Sequence, residues 1–282
     1  MAPLSPTVAR WELVLRLREW REKRGFDSAT FARRVGFTPA NWSHVEKGRR
    51  VLTGNTIGPV LDLLEVPEPD REQLLALLAA SKTRGWWSGS AALLGPEPLR
   101  YYGMEYGAAR VRGYDSLVVP ALLQTESYAR ALIAADVTTR PVQGEQLVAI
   151  RLRRAERLRD ADPIRLTAVL GEAALVQQVG APEILRAQLS YLVESLTELD
   201  TVEVRVLPFD APAGAALGGA SFQLLDFTAA LPTFAWIENA VLRGGVDNPD
   251  QVRELAFAYE RALDRALGPA DSAALIRRYA RG

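Results

Sequence analysis

Asn41, His44 and Lys47 recur at every third residue between Thr38-Pro39 and Gly48. On a helix that spacing gathers an amide, an imidazole and an ammonium on one face, and all three can donate hydrogen bonds to base edges or phosphates. Pro39, Ala40 and Ser43 share the outward side, and Arg49 and Arg50 follow its end. His44 is the chain's one histidine and cysteine is absent, so no ligand set for a bound metal is expected; the plain alternative for His44 is a solvated side chain. A second set is scattered through later apolar segments: Glu105, Glu172 and Glu238 with Gln124, Tyr128, Arg151 and Arg154. Paired carboxylates serve glycoside hydrolysis, but only about 5–10 Å apart across a sugar-sized cleft. Arg–Glu pairs that fix a helix against a sheet are the simpler expectation, and a ligand or partner site is the third. No catalytic residue is assigned, no enzyme activity is expected, and no cofactor is implied.

The chain has 282 residues with 34 basic and 34 acidic side chains. Without cysteine it has no disulfide scaffold, no cysteine-ligated zinc or iron–sulfur site and no thiol nucleophile. No apolar run approaches the roughly 20 residues that cross a bilayer, and the N-terminus lacks a signal-peptide pattern. The expectation is a soluble cytoplasmic protein with no membrane partner. The neutral total hides a division: residues 9–50 carry eleven Arg or Lys against five Asp or Glu, leaving an equal negative excess on the rest. A basic head on an acidic body suits nucleic-acid binding. Arginines paired with Glu12, Glu19 and Glu22 along one helix would give the same count.

Leu13, Leu17 and Trp20, with Gly25 after them, predict a helix over 10–24. Asp27 can cap a second helix with Phe31, Ala32 and Val35 inward and Gly36 at its end. Thr38 and Pro39 start a third, with proline where no amide is needed; Trp42 and Val45 face inward and Gly48 stops it. Two short helices joined by a tight turn make a helix-turn-helix, whose second helix fits the major groove of DNA. Ile57, Val60, Leu61 and Leu64, then Leu74, Leu75, Leu77 and Leu78, add two helices around Pro67 and Pro69. The result is an all-α bundle over residues 9–80.

The run Phe31-Ala32-x-x-Val35-Gly36-Phe37-Thr38, followed by Trp42-Ser43-x-Val45-Glu46-x-Gly48-Arg49-Arg50, resembles the helix-turn-helix of the phage-repressor (Cro, or XRE-type) family. The resemblance implies a regulator of transcription that binds double-stranded DNA as a homodimer, with Arg21 paired to Glu46. Where that family often carries glutamines this chain has Ser28 and Pro39, and neither can make the bidentate glutamine–adenine contact. Base reading then falls to Asn41, His44 and Lys47, while Ser28, Ser43, Arg49 and Arg50 hold phosphates.

Gly85-Trp86-Trp87-Ser88-Gly89-Ser90 and Gly95-Pro96-Glu97-Pro98 read as a linker over residues 81–98, stiffened by two tryptophans that need burial. Beyond it, over 99–282, β-rich runs at 109–119, 165–170, 202–207, 221–227 and 234–238 are interspersed with helical stretches at 125–134, 145–159, 182–196, 249–267 and 271–281. These predict an α+β domain with a mixed or antiparallel sheet. Gly214-Ala215-Ala216-Leu217-Gly218-Gly219 lacks the lysine of a phosphate-binding loop and reads as a connection before Ser221. The order Trp86-Trp87, Glu105, Val119-Pro120-Ala121-Leu122-Leu123-Gln124-Thr125, Arg151-Leu152-x-Arg154, Glu172-Ala173-Ala174-Leu175 and Val204-Arg205-Val206-Leu207-Pro208-Phe209 resembles the long C-terminal domain of WhiJ-like actinobacterial regulators. That resemblance implies transcription control with a small partner protein encoded nearby; a small-molecule effector is the other signal the domain could carry, and nucleoid association is expected when the protein is bound to DNA. An antitoxin-like module that sequesters such a partner is the other reading.

Overall fold

The computed structural model describes residues 2–137, 139–211, 220–228, 231–238 and 243–281. The chain divides into two compact units, Leu4–Ser88 and the chain from Gly89 onward.

The first unit consists of α1 (Pro6–Lys23), α2 (Ser28–Arg34), α3 (Pro39–Glu46), α4 (Gly54–Leu63) and α5 (Glu68–Ser81). Side-chain oxygens cap three of the helix starts: Ser5 accepts from Val8 N, Asp27 from Thr30 N and Thr38 from Asn41 N. Each such cap stabilises by about 1 kcal/mol. α1 begins at Pro6 rather than at residue 10, because Ser5-Pro6 is itself a cap followed by an N1 proline. α2 ends where Gly36 takes φ 78°, and the amides of Gly36 and Phe37 turn back to the carbonyls of Arg33 and Ala32. That reversal brings Phe37 to Trp42 at 5.7 Å between ring centroids, while Trp42 meets Phe31 at 4.9 Å. Trp42 lies in one buried cluster with Val45, Leu13, Leu17, Ile57 and Leu61. Helices as short as α2 and α3 do not form alone; burial of their apolar faces, at about 1.5–3 kcal/mol per large side chain, holds them.

Residues 81–98, expected as a linker, instead contain a 3-10 turn (Trp86–Ser90), α6 (Ala91–Leu94) and the start of α7 (Pro96–Gly107). Pro96 opens α7 instead of breaking the chain, and the break falls at Gly95, φ 73°. The Trp87 indole packs over Gly85, where a Cβ would come within 2.3 Å of the ring.

The second unit continues through β1 (Arg110–Asp115), α8 (Glu126–Ala135), α9 (Gly144–Ala155), β2 (Arg165–Gly171), α10 (Pro182–Glu198), β3 (Val202–Leu207), β4 (Ser221–Asp226), β5 (Phe234–Glu238), β6 (Arg243–Val246), α11 (Pro249–Arg265) and α12 (Pro269–Arg281). Among the described residues the strands form one mixed sheet in the order β3-β2-β1-β4-β5-β6. β1, β2 and β3 run parallel, joined by the helical crossovers that parallel pairing requires, and β4, β5 and β6 pair antiparallel. The register Gly113↔Gln223↔Trp236 places Val111, Gly113, Asp115, Gln223 and Trp236 on one face. The opposite face presents Tyr114, Val169, Phe222 and Leu224 to Tyr259, Ala262 and Val252 of α11. The outer edge of β3 is closed rather than left as a template for pairing: Val206 N donates to Ser272 Oγ at 2.9 Å, and Leu267 N to Val206 O at 2.8 Å.

Candidate nucleic-acid interface

α2, the turn at Gly36 and α3 set two adjoining surfaces. On α3, Trp42 and Val45 are buried while Pro39, Ala40, Asn41 and His44 are exposed. Lys47, Arg49 and Arg50 are exposed beyond its end, and Ser43 is half-buried. The helix is held at its C-terminal end by Glu46. Arg21 Nε donates to Glu46 Oε1 at 2.8 Å, Arg18 Nη2 to the Glu46 carbonyl at 3.1 Å, and Arg21 Nη1 to Phe26 O at 2.6 Å. One arginine of α1 thereby locks the end of α3 to the start of α2.

Ser28 departs from the expected role. Its hydroxyl donates to Glu46 Oε2 at 2.7 Å, so its proton serves the internal lock and not a phosphate. Two cations that the spacing argument missed stand exposed at the end of α2, Arg33 and Arg34. The Arg34 guanidinium lies over the Phe26 ring at 5.1 Å, and Arg50 lies over Phe37 at 5.5 Å. Stacking of this kind orients a guanidinium before any phosphate arrives.

In the second unit the expected polar set separates into groups. Arg154 grips Glu105 bidentately, Nε to Oε1 at 2.7 Å and Nη2 to Oε2 at 2.8 Å, and the Tyr101 hydroxyl lies 2.8 Å from Oε2. Tyr101 also stacks on Trp236 at 4.6 Å, which fastens α7 to β5. Burial works against the Arg154 charge, but the Glu105 carboxylate outweighs it and holds the guanidinium protonated; burial and Glu105 both push Tyr101 up. Nearby, Arg151 Nη1 donates to Gln124 Oε1 at 2.7 Å, Gln124 Nε2 to Val119 O at 2.6 Å, and Val119 N to the Tyr128 hydroxyl at 3.3 Å.

Glu172 does not join them. It accepts from Phe209 N at 2.8 Å and from the Tyr279 hydroxyl at 2.7 Å, tying α12 to the ends of β2 and β3. Glu238 is exposed and pairs with Arg243 at 3.2 Å. A residue outside the expected set, Asp115, is buried at the end of β1, where burial and then the charge of Glu238 raise its pKa to about 7 against a hydrogen bond from Ser221. The alternation Val111, Gly113, Asp115 was the clue, since it places a carboxylate on an inward face. The glycine-rich run 214–219 lies outside the described residues.

Among the described residues no helix is long and apolar enough to cross a membrane. Residues 12–74 match a helix-turn-helix domain model, and residues 99–278 match the domain of unknown function DUF5753. No curated protein and no solved structure matches the chain. An exposed polar recognition face on a buried aromatic base, together with the first match, makes this a helix-turn-helix protein with DNA as its partner. The second match spans well over half of the chain, which belongs to the DUF5753 family.

Proposed function

We propose that this chain is a sequence-specific regulator of transcription of the XRE type, a cytoplasmic homodimer that joins the nucleoid when bound to its operator. Its second unit corresponds to the WhiJ-like C-terminal domain and senses an effector. The observation that carries this reading is the α3 face. Asn41 and His44 are exposed on it, Trp42 and Val45 are buried behind it, and Lys47, Arg49 and Arg50 follow its end. A small molecule is favoured as effector over a partner protein because the unanswered charges of the second unit include the buried Asp115. No catalytic step is assigned to Glu105 or Glu172, whose carboxylate oxygens are all engaged by protein donors.

The test is competition binding of the full chain to a duplex from its own promoter region against a scrambled duplex of equal length. A preference of about a thousandfold or more is expected. Equal affinity for both would refute sequence-specific regulation, and stoichiometric co-purification of a small protein would favour the antitoxin-like reading over ligand sensing.

A further inference from the structure

The ligand class follows from two ionisable groups of the second unit, Asp115 and Arg151, that form no ion pair among the described residues, and it rests on the reading of that unit as a small-molecule sensor. Asp115, at the carboxyl end of β1, is 5% exposed, and among the described residues its Oδ2 has no hydrogen-bond partner. The adjacent charge is Glu238, a second carboxylate, and Ser221 supplies the stabilising hydrogen bond. The unpartnered oxygen overhangs Gly113. A side chain there would begin 3.4 Å from Oδ2 and 3.7 Å from Gln223 Cγ, so the glycine leaves a gap beside a buried acceptor.

A cation of the same unit, Arg151 on α9, is half-buried and hydrogen-bonded only to an amide among the described residues. Burial and then the neighbouring Arg154 charge lower the pKa of Arg151 against the opposite pull of Tyr102 and Glu238, and its guanidinium hydrogen-bonds to the neutral Gln124. Among the described residues it forms no ion pair with a carboxylate. Beyond the effects of burial and of the hydrogen bond from Val119 N, Asp115 raises the pKa of Tyr128 and Arg151 lowers it. Buried charges without partners are costly, and the carboxyl ends of parallel strands are where open α/β sheets take ligands. We infer that this end of the sheet binds a small zwitterion, an amine-bearing carboxylic acid, whose ammonium donates to Asp115 and whose carboxylate lies on Arg151.

The experiment is a thermal-shift and calorimetric screen of the full chain against free α- and ω-amino acids, with the matching amines and carboxylic acids as half-ligands. At least one amino acid should raise Tm by roughly 5–10 °C at a hundredfold excess over Kd. Asp115→Asn should abolish the response to amino acids and amines, and Arg151→Gln the response to amino acids and acids. Far-UV circular dichroism and retained binding to promoter DNA would establish that each variant is folded, and Arg151→Lys, which keeps the charge, should restore part of the response. No shift with any probe, or shifts that survive both substitutions, would overturn the inference. Promoter binding measured on the same samples separates the outcomes: a silent screen with intact DNA recognition removes the zwitterion alone, whereas loss of DNA recognition removes the regulatory reading.

Discussion

In the proposed regulator, Asn41 and His44 on α3 discriminate between sequences and the arginines beyond its end attract phosphates. Asn41→Ala and His44→Ala should each weaken the specific site by about 1–3 kcal/mol and leave non-specific binding nearly intact. Arg49→Ala should instead weaken every sequence alike. Fluorescence anisotropy with specific and scrambled duplexes separates the two, and equal effects from both kinds of substitution would cancel the division. Asp115 makes a different prediction. Its carboxyl titrates near 7 in the folded chain and near 4 when unfolded, so between those values the folded chain holds the extra proton. Stability from this group is therefore intact below about pH 4 and is lost, by on the order of 4 kcal/mol, as pH rises through about 7. Asp115→Asn cannot ionise and should raise Tm at pH 8 while leaving it nearly unchanged at pH 4.5. Arg154 and Glu105 belong to the same scale. Removing either alone strands a buried charge and should cost about 3–5 kcal/mol in denaturant unfolding, whereas Arg154→Met combined with Glu105→Leu should cost much less.

Among the elements, the turn between α2 and α3 is the most constrained. Gly36 sits at φ 78° with open space around its Cα, so Gly36→Ala meets no clash and should destabilise by about 1–2 kcal/mol through the left-handed backbone alone. A similar loss of promoter affinity is expected only if the turn also shifts α3. The helix-turn-helix was legible in the sequence because its punctuation is local: Asp27, Thr38, Pro39, Gly36 and Gly48 each act within a few residues. α7 and β6 were not. α7 buries Tyr101, Gly103, Met104, Glu105 and Gly107, so a carboxylate and two glycines interrupt the apolar side that would have marked it. β6 is Arg-Gly-Gly-Val, and Gly245 is needed because a Cβ there would lie 2.4 Å from the Phe234 ring. Glycine demanded by a partner distant in sequence leaves no periodic trace. The same holds for the site residues: Glu105 and Arg154 could be suspected as a pair, but that Glu172 answers to Phe209 and Tyr279 depends on strand order, which no local pattern encodes.

At the scale of the whole molecule, the head and the body keep separate cores, and the charge is divided between them. The basic excess of residues 9–50 is not spread evenly once the structure is known. Arg21 serves the Glu46 lock, Arg16 and Arg24 pair with Asp70 and Glu65, and Arg33, Arg34, Lys47, Arg49 and Arg50 are exposed, which makes them the cations proposed to meet phosphates. The central claim is that this surface docks on DNA, and the most direct test is the affinity of the full chain for its promoter duplex between 50 and 200 mM salt. Each phosphate neutralised contributes a slope of about −0.9 in log K against log salt, so five contacts give about −4.5 for each head engaged. A slope near zero, or no measurable binding at the lowest salt, would contradict the account.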